Sequence, residues 1–290
     1  MREIYRRYLS EGQLAGSRYA LTPPLNAPFG TAGSLLGKAA GSSLEFMDHR
    51  DYQPGDDLRR IDWSAYARTD RLIVKLYREE VSPHVDVVVD GSRSMALAGT
   101  DKARAALALT AAFASAATNA GYSHCGWVAR HACERVANGS ATPDLWDGIE
   151  LDHRGSPAEA FDRAPPTWRP RGIRVLLSDL LFMGDPTSLL SLLADRASAV
   201  IVVQVLAEAD VNPPSRGNIR LVDSETGELQ EIFIDASAEK RYRDALARHQ
   251  QNWHRSARQV GAVFTSAVAE RICAEWDLQP LLAAEIFKVV

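Results

Sequence analysis

Val85-Asp86-Val87-Val88-Val89-Asp90-Gly91-Ser92-Arg93-Ser94-Met95 is the stretch on which the fold turns. It opens with a short β-branched run, the pattern of a strand buried on both faces, and breaks off at alternating oxygen side chains. Downstream, Asp101 reads as the N-cap of a long alanine-rich helix reaching about Asn119, with Gly121 as its stop. Residues 122–138 suggest one or two strands around Trp127-Val128, and residues 143–163 read as short helices punctuated by Gly155 and Pro157. A second buried strand, Ile173-Arg174-Val175-Leu176-Leu177, ends at Ser178-Asp179; a helix around Ser188–Arg196 and a third strand, Val200–Leu206, follow. Strands separated by helices predict an α/β fold: a doubly wound, mostly parallel sheet with flanking helices. Beyond it the pattern predicts a hairpin over 219–234 turning at Glu225-Thr226-Gly227-Glu228, a long polar helix from about Ala238 to Gly261, a strand at 262–265 and a closing helix from about 268.

Upstream of Val85 the pattern differs, so a boundary is placed there: an N-terminal β/loop segment over 1–84 and the α/β domain over 85–290. Residues 1–47 read as the least regular part, with Pro23-Pro24 and Pro28 breaking any helix and glycines at 30, 33, 37 and 41. Residues 48–71 are dense in charge of both signs, and Leu72–Tyr77 alternates like a half-buried strand.

In a doubly wound sheet, ligands bind outside the carboxyl ends of the strands. Asp90, Ser92 and Ser94 lie just past one strand and Asp179 just past another, and in this fold the two ends are expected to be neighbours. Carboxylates and hydroxyls are hard oxygen donors that suit Mg²⁺, or Mn²⁺, and not zinc. Two carboxylates with neutral hydroxyls leave such an ion short of ligands. The expected function is therefore metal-bridged protein binding, with a partner's Asp or Glu supplying the next oxygen.

The composition excludes several classes. The 290 residues are 46% hydrophobic and 24% charged, enough for a core and not the make-up of a disordered chain. With 33 basic against 37 acidic residues, net −4, there is no charge excess of a phosphate-backbone binder, so nucleic acid is not expected as a partner. Three cysteines are too few for a disulfide framework and fit a reducing compartment. The longest apolar runs, such as Ala199–Val203, fall well short of the ~20 residues that span a bilayer. A soluble, cytoplasmic protein without a membrane span is the expectation.

Val85–Met95 resembles the first strand and metal-ion-dependent adhesion site of a von Willebrand factor A domain, and Val175–Asp179 resembles the later metal-loop strand, with Asp179 as its aspartate. The family's middle loop offers a threonine after a glycine. Here Gly155-Ser156 is the best match, which implies Ser156 as a further ligand; Ser156-Pro157 also reads simply as a helix start. Leu44-Glu45-Phe46, Arg50–Asp57, Arg59–Trp63, Ala67-Arg68-Thr69 and Asp223–Glu228 resemble the signature of the DUF58 family, bacterial proteins with an A-type domain. That resemblance spans about residues 30–290. It implies partnership with a MoxR-type AAA+ ATPase, as an adaptor in assembly of, or metal insertion into, client proteins.

Other readings stand beside these. The 48–71 stretch is either a docking surface anchored by Trp63 or a self-satisfying salt-bridge network, the latter favoured by the close alternation of Asp and Arg. His124, Cys125, His131 and Cys133 lack zinc-ligand spacing and read as structural. The basic residues of the 238–260 helix read as a solvated face, with a docking site as the alternative. A Mg²⁺-dependent phosphohydrolase using Asp90 as nucleophile is the enzymatic rival; it needs a carboxylate two residues on as general acid, where this chain has Ser92. A scaffold with an empty site is the third reading. Non-enzymatic action is the expectation.

Overall fold

The computed structural model describes residues 2–22, 44–79, 84–212, 216–223, 227–276 and 278–290. Pro23-Pro24, Pro28, the glycines at 30, 33, 37 and 41, and Ser224–Thr226 of the expected turn lie outside the described residues, as do the side chains of Leu44-Glu45-Phe46.

In chain order the elements are α1 (Glu3–Gly16), β1 (Tyr19–Leu21), β2 (Leu44–Asp51), α2 (Trp63–Thr69), β3 (Ile73–Glu79), β4 (His84–Asp90), α3 (Lys102–Asn119), β5 (Ser123–Ala129) and β6 (Cys133–Arg135). Then come α4 (Pro157–Arg163), β7 (Ile173–Ser178), α5 (Pro186–Ala194), β8 (Ala199–Leu206), α6 (Glu208–Val211), β9 (Gly217–Val222) and β10 (Leu229–Ile234). The chain closes with α7 (Ala236–Gln259), β11 (Val263–Val268), α8 (Ala269–Glu275), α9 (Gln279–Ala283) and β12 (Phe287–Val289). They fall into two compact units, residues 1–28 with 83–290, and residues 29–82. Residues 2–22 thus group with the α/β unit, a difference from the expected boundary at 84.

The larger unit is built on a six-stranded sheet in the order β11-β8-β7-β4-β5-β6, parallel except where β6 runs against β5. β4, β7 and β8 are buried along their whole length, which is why they read as continuous apolar runs. Val85, Val87, Val89, Val175 and Leu177 face one core with α3, whereas Val88, Leu176, Val200 and Val202 face the other with α5 and α7. Helices thus cover both faces. β4 and β7 are neighbours whose following helices, α3 and α5, lie on opposite faces, so a crevice opens at their carboxyl ends.

α3 is buried nearly all round because α1 lies against it. The buried face of α1 is Tyr5, Leu9, Gly12 and Gly16, and a Cβ on Gly12 would fall 1.9 Å from the Ala108 carbonyl oxygen. Two glycines on the contact face carry no hydrophobic signal, which is why this helix is not legible in a stretch that reads as irregular. A second local correction concerns Asp101: it precedes α3, but its side chain makes no capping hydrogen bond. The hairpin β9–β10 and the long helix α7 form as the pattern predicts, and only Trp253, Ser256 and Ala257 of α7 are buried. Among the described residues no helix is long and apolar enough to cross a membrane.

The smaller unit pairs β2 with β3 in an antiparallel ladder, irregular at Phe46/Asp48, and carries α2. Arg50 pairs with Asp56 at 2.6 Å, and Asp57 accepts the backbone N–H of Arg59 at 3.0 Å. Trp63 remains exposed, edge-on to Tyr66.

Candidate functional site

β4 delivers Asp90 to the crevice as its last residue, 1% exposed. One carboxylate oxygen accepts the Ser92 N–H at 2.9 Å, and the other accepts the Ser178 hydroxyl of the adjoining β7 at 2.6 Å. The Ser92 and Ser94 hydroxyls are 3.0 Å apart. The turn between them is clamped from the side: the Arg93 N–H donates to the His153 carbonyl at 2.9 Å and the His153 N–H to the Gly91 carbonyl at 3.0 Å. Gly91 suits this clasp because a Cβ there would fall 2.9 Å from the Ala129 carbonyl oxygen.

Asp179 follows β7 directly and is also buried. Its Oδ1 accepts the Leu181 N–H at 3.1 Å and its Oδ2 the Lys102 ammonium at 2.7 Å. Ser156 caps α4, accepting the Glu159 N–H at 3.3 Å, so the helix-start reading of this residue holds. It nevertheless lines the same cavity, about 680 Å³ in volume, as Asp90, Ser92, Ser94 and Asp179. All five expected ligands are therefore brought to one space, drawn from the ends of β4 and β7 and the N-terminus of α4.

The electrostatics are uneven. Burial, and then the charge of Asp179, push the Asp90 carboxyl far above the ordinary carboxylate range, and its hydrogen-bond partners, Ser92 and Ser178, are neutral. A cation beside Asp90 would relieve this. The donor set suits a hard divalent ion: two carboxylates and three hydroxyls, with neither sulfur nor imidazole. Among the described residues no group of three or more His, Cys, Asp and Glu gathers as a metal ligand set. The site at Asp90 has only two such residues, and the rest of its donors are hydroxyls. His124 spends its ring on the Ala141 carbonyl at 2.9 Å and the Thr118 hydroxyl at 3.3 Å.

Two residues of the cavity escape a reading by motif. Lys102, 1% exposed, bridges Asp179 and Asp210, its nitrogen 2.7 and 3.1 Å from their Oδ2 atoms. Burial works against its charge, but the two carboxylates outweigh that and hold it above the ordinary lysine range. A signal was present for Lys102: an ammonium in the first turn of a helix opposes the macrodipole and needs a local reason. Asp210 sits on α6 after β8, with nothing in its local sequence to mark it. Leu181 and the fully exposed Met183 stand at the rim.

The model of the family described as "Protein of unknown function DUF58" matches residues 48–252. The chain belongs to the DUF58 family. It is 30% identical over 258 residues, 82% of this chain and 79% of theirs, to Uncharacterized protein Mb1516 of Mycobacterium bovis and Uncharacterized protein Rv1480 of Mycobacterium tuberculosis. Solved structures similar to this DUF58 chain include a conserved hypothetical protein BatB from Bacteroides thetaiotaomicron, at 11% identity and TM-score 0.36 over 70% of this chain and 98% of that one. A second is an aerotolerance-related membrane protein from Bacteroides fragilis, at 11% identity and TM-score 0.29 over 69% and 99%.

Proposed function

We propose that this DUF58 chain is a non-enzymatic, cytoplasmic interaction module of the von Willebrand factor A type that binds protein through a divalent cation. The observation that carries this is the convergence of Asp90, Ser92, Ser94, Ser156 and Asp179 on one cavity at the carboxyl edge of the sheet. These residues would hold Mg²⁺ or Mn²⁺, directly or through water, and the ion would supply a coordination position for an anionic oxygen from outside. Asp90 and Asp179 are buried and fixed by the 2.6 Å bond from Ser178 and the 2.7 Å bond from Lys102, so the binding set is preorganised. The apolar rim at Leu181 and Met183 offers surface for the segment that carries the acidic residue. The partner best matched to the family resemblance is a MoxR-type AAA+ ATPase, with this chain as its chaperone-like adaptor toward a client protein.

The decisive experiment measures binding of the purified chain to its MoxR-type ATPase in Mg²⁺, in EDTA and with Asp90→Ala. Binding weaker by at least roughly tenfold, ~1.4 kcal/mol, is expected in both of the latter. Binding indifferent to both would leave a scaffold without a functional metal. Turnover of a phosphate ester by the wild type that Asp90→Ala abolishes would replace the adaptor with a phosphohydrolase.

A further inference from the structure

Among the described residues Lys102 is the one ammonium lining the cavity, and its position there is built, not incidental. Its side chain leaves the first turn of α3 and ends between Asp179, at the end of β7, and Asp210, on α6 after β8. Both aspartates have other supports. The second Asp179 oxygen holds the Leu181 N–H, Asp210 Oδ2 also accepts the Ala207 N–H at 2.8 Å, and the Asp210 carbonyl accepts the Tyr242 hydroxyl at 2.6 Å. A buried ammonium is costly unless fully paired, and this one is paired twice. The two Oδ2 atoms it touches can be no more than about 5.8 Å apart, the sum of its two contacts. That spacing is bridgeable by a metal ion directly or with one water.

We propose that Lys102 is a tethered cation: its ammonium fills the position between Asp179 and Asp210 that a second divalent ion would otherwise occupy, and so limits the cavity to one exogenous ion at Asp90. This deepens the metal reading above and rests on it for the ion at Asp90. The charge balance favours it. Among the described residues the cavity lining holds five carboxylates, Asp90, Glu159, Asp179, Asp210 and Asp223, against Lys102 and Arg154, so when all are ionised a negative charge remains for an exogenous cation after the tethered ammonium is counted. Because the tether joins α3, the β7 loop and α6, it also fixes Asp179 in place before any ion arrives.

The test counts Mn²⁺ bound per chain by calorimetry and by electron paramagnetic resonance, in the wild type, Lys102→Ala and Lys102→Arg. The expected counts are one, two and one. The difference between Lys102→Ala and the wild type decides the proposal: one additional ion supports it, and an unchanged count overturns it. The wild-type count decides the reading beneath it: none in the wild type but one in Lys102→Ala would remove the ion at Asp90 while leaving the tethered cation standing. If Lys102→Ala does not fold, the wild type and Lys102→Arg suffice. Nitrogen-15 NMR of the lysine ammonium groups, with Lys102 assigned through Lys102→Arg, is expected to show the Lys102 signal slow to exchange and still present at saturating Mg²⁺. Its loss to solvent exchange on adding Mg²⁺ would mean that the divalent ion displaces the ammonium, and the proposal falls.

Discussion

Asp62 accepts the Ser64 and Ala65 N–H groups at 3.0 Å each through one carboxylate oxygen, while the other faces His49 at 3.0 Å and Lys75 at 3.5 Å. It caps α2 and ties it to both strands of its hairpin, so a charged residue in a dense mixed-charge run does structural work. The Ala65 N–H above all, aided by His49 and Lys75, draws its carboxyl from 3.8 down to about 2. A carboxyl depressed in the folded state contributes stability fully above its unfolded value. That contribution is lost as pH falls through the folded value. Carbon-13 titration of Asp62 is therefore expected to give a midpoint near 2. The stability of residues 29–82 should erode between about pH 4 and 2, and Asp62→Asn, which still caps, should flatten that window. A midpoint at the ordinary aspartate value would refute the network. Hydrogen-bond partners also separate Asp90 from Asp179. Both are buried at strand ends, yet one has neutral partners and the other a lysine.

At the scale of elements, the contact of α1 with α3 depends on two missing side chains. Gly12 and Gly16 let the helices approach until Ala108 and Ala112 stand where a Cβ would be. Replacing a helical glycine by alanine on an open surface gains up to ~1 kcal/mol. Here the backbone of α3 stands in the way, and overpacking of this kind costs about 1–3 kcal/mol. Gly12→Val, with its larger and branched side chain, is expected to lower the urea unfolding midpoint clearly, and Gly12→Ala not to raise it. A rise for either would mean that the helices part without penalty. The strands were legible because β-branched runs such as Val85–Val89 announce burial on both faces. α1 was not, because its buried face is half glycine and the residues it meets, Ala108 and Ala112, lie far on in the chain.

For the whole molecule, the three thiols report on global integrity. Cys125, Cys133 and Cys273 are free and buried. Burial above all pushes the Cys273 thiol up to about 12 and Cys133 well above the ordinary range. Thiolate is the reactive form, so the native chain should resist a thiol reagent at pH 8. Labelling of Cys133 and Cys273 is expected to follow the urea unfolding curve measured by circular dichroism. Rapid labelling of either in the absence of denaturant would show that the larger unit opens locally. This distribution also explains why the cysteines near His124 and His131 make no ligand set: they are spent in the core, and His124 is spent on Thr118 and Ala141.

The sequence by itself determined the main alternation of strands and helices from Val85 onward, the mostly parallel sheet, and the placing of Asp90 and Asp179 at neighbouring strand ends. Apolar periodicity and the residues that end it are local, and burial on both faces leaves a readable run. Tertiary structure alone decided that Ser156 caps α4 while lining the cavity, that residues 2–22 belong to the larger unit, and that Lys102 meets Asp210. Those outcomes depend on which distant segments the sheet order and helix packing bring together, and a lone lysine or aspartate carries no local mark of its eventual partner.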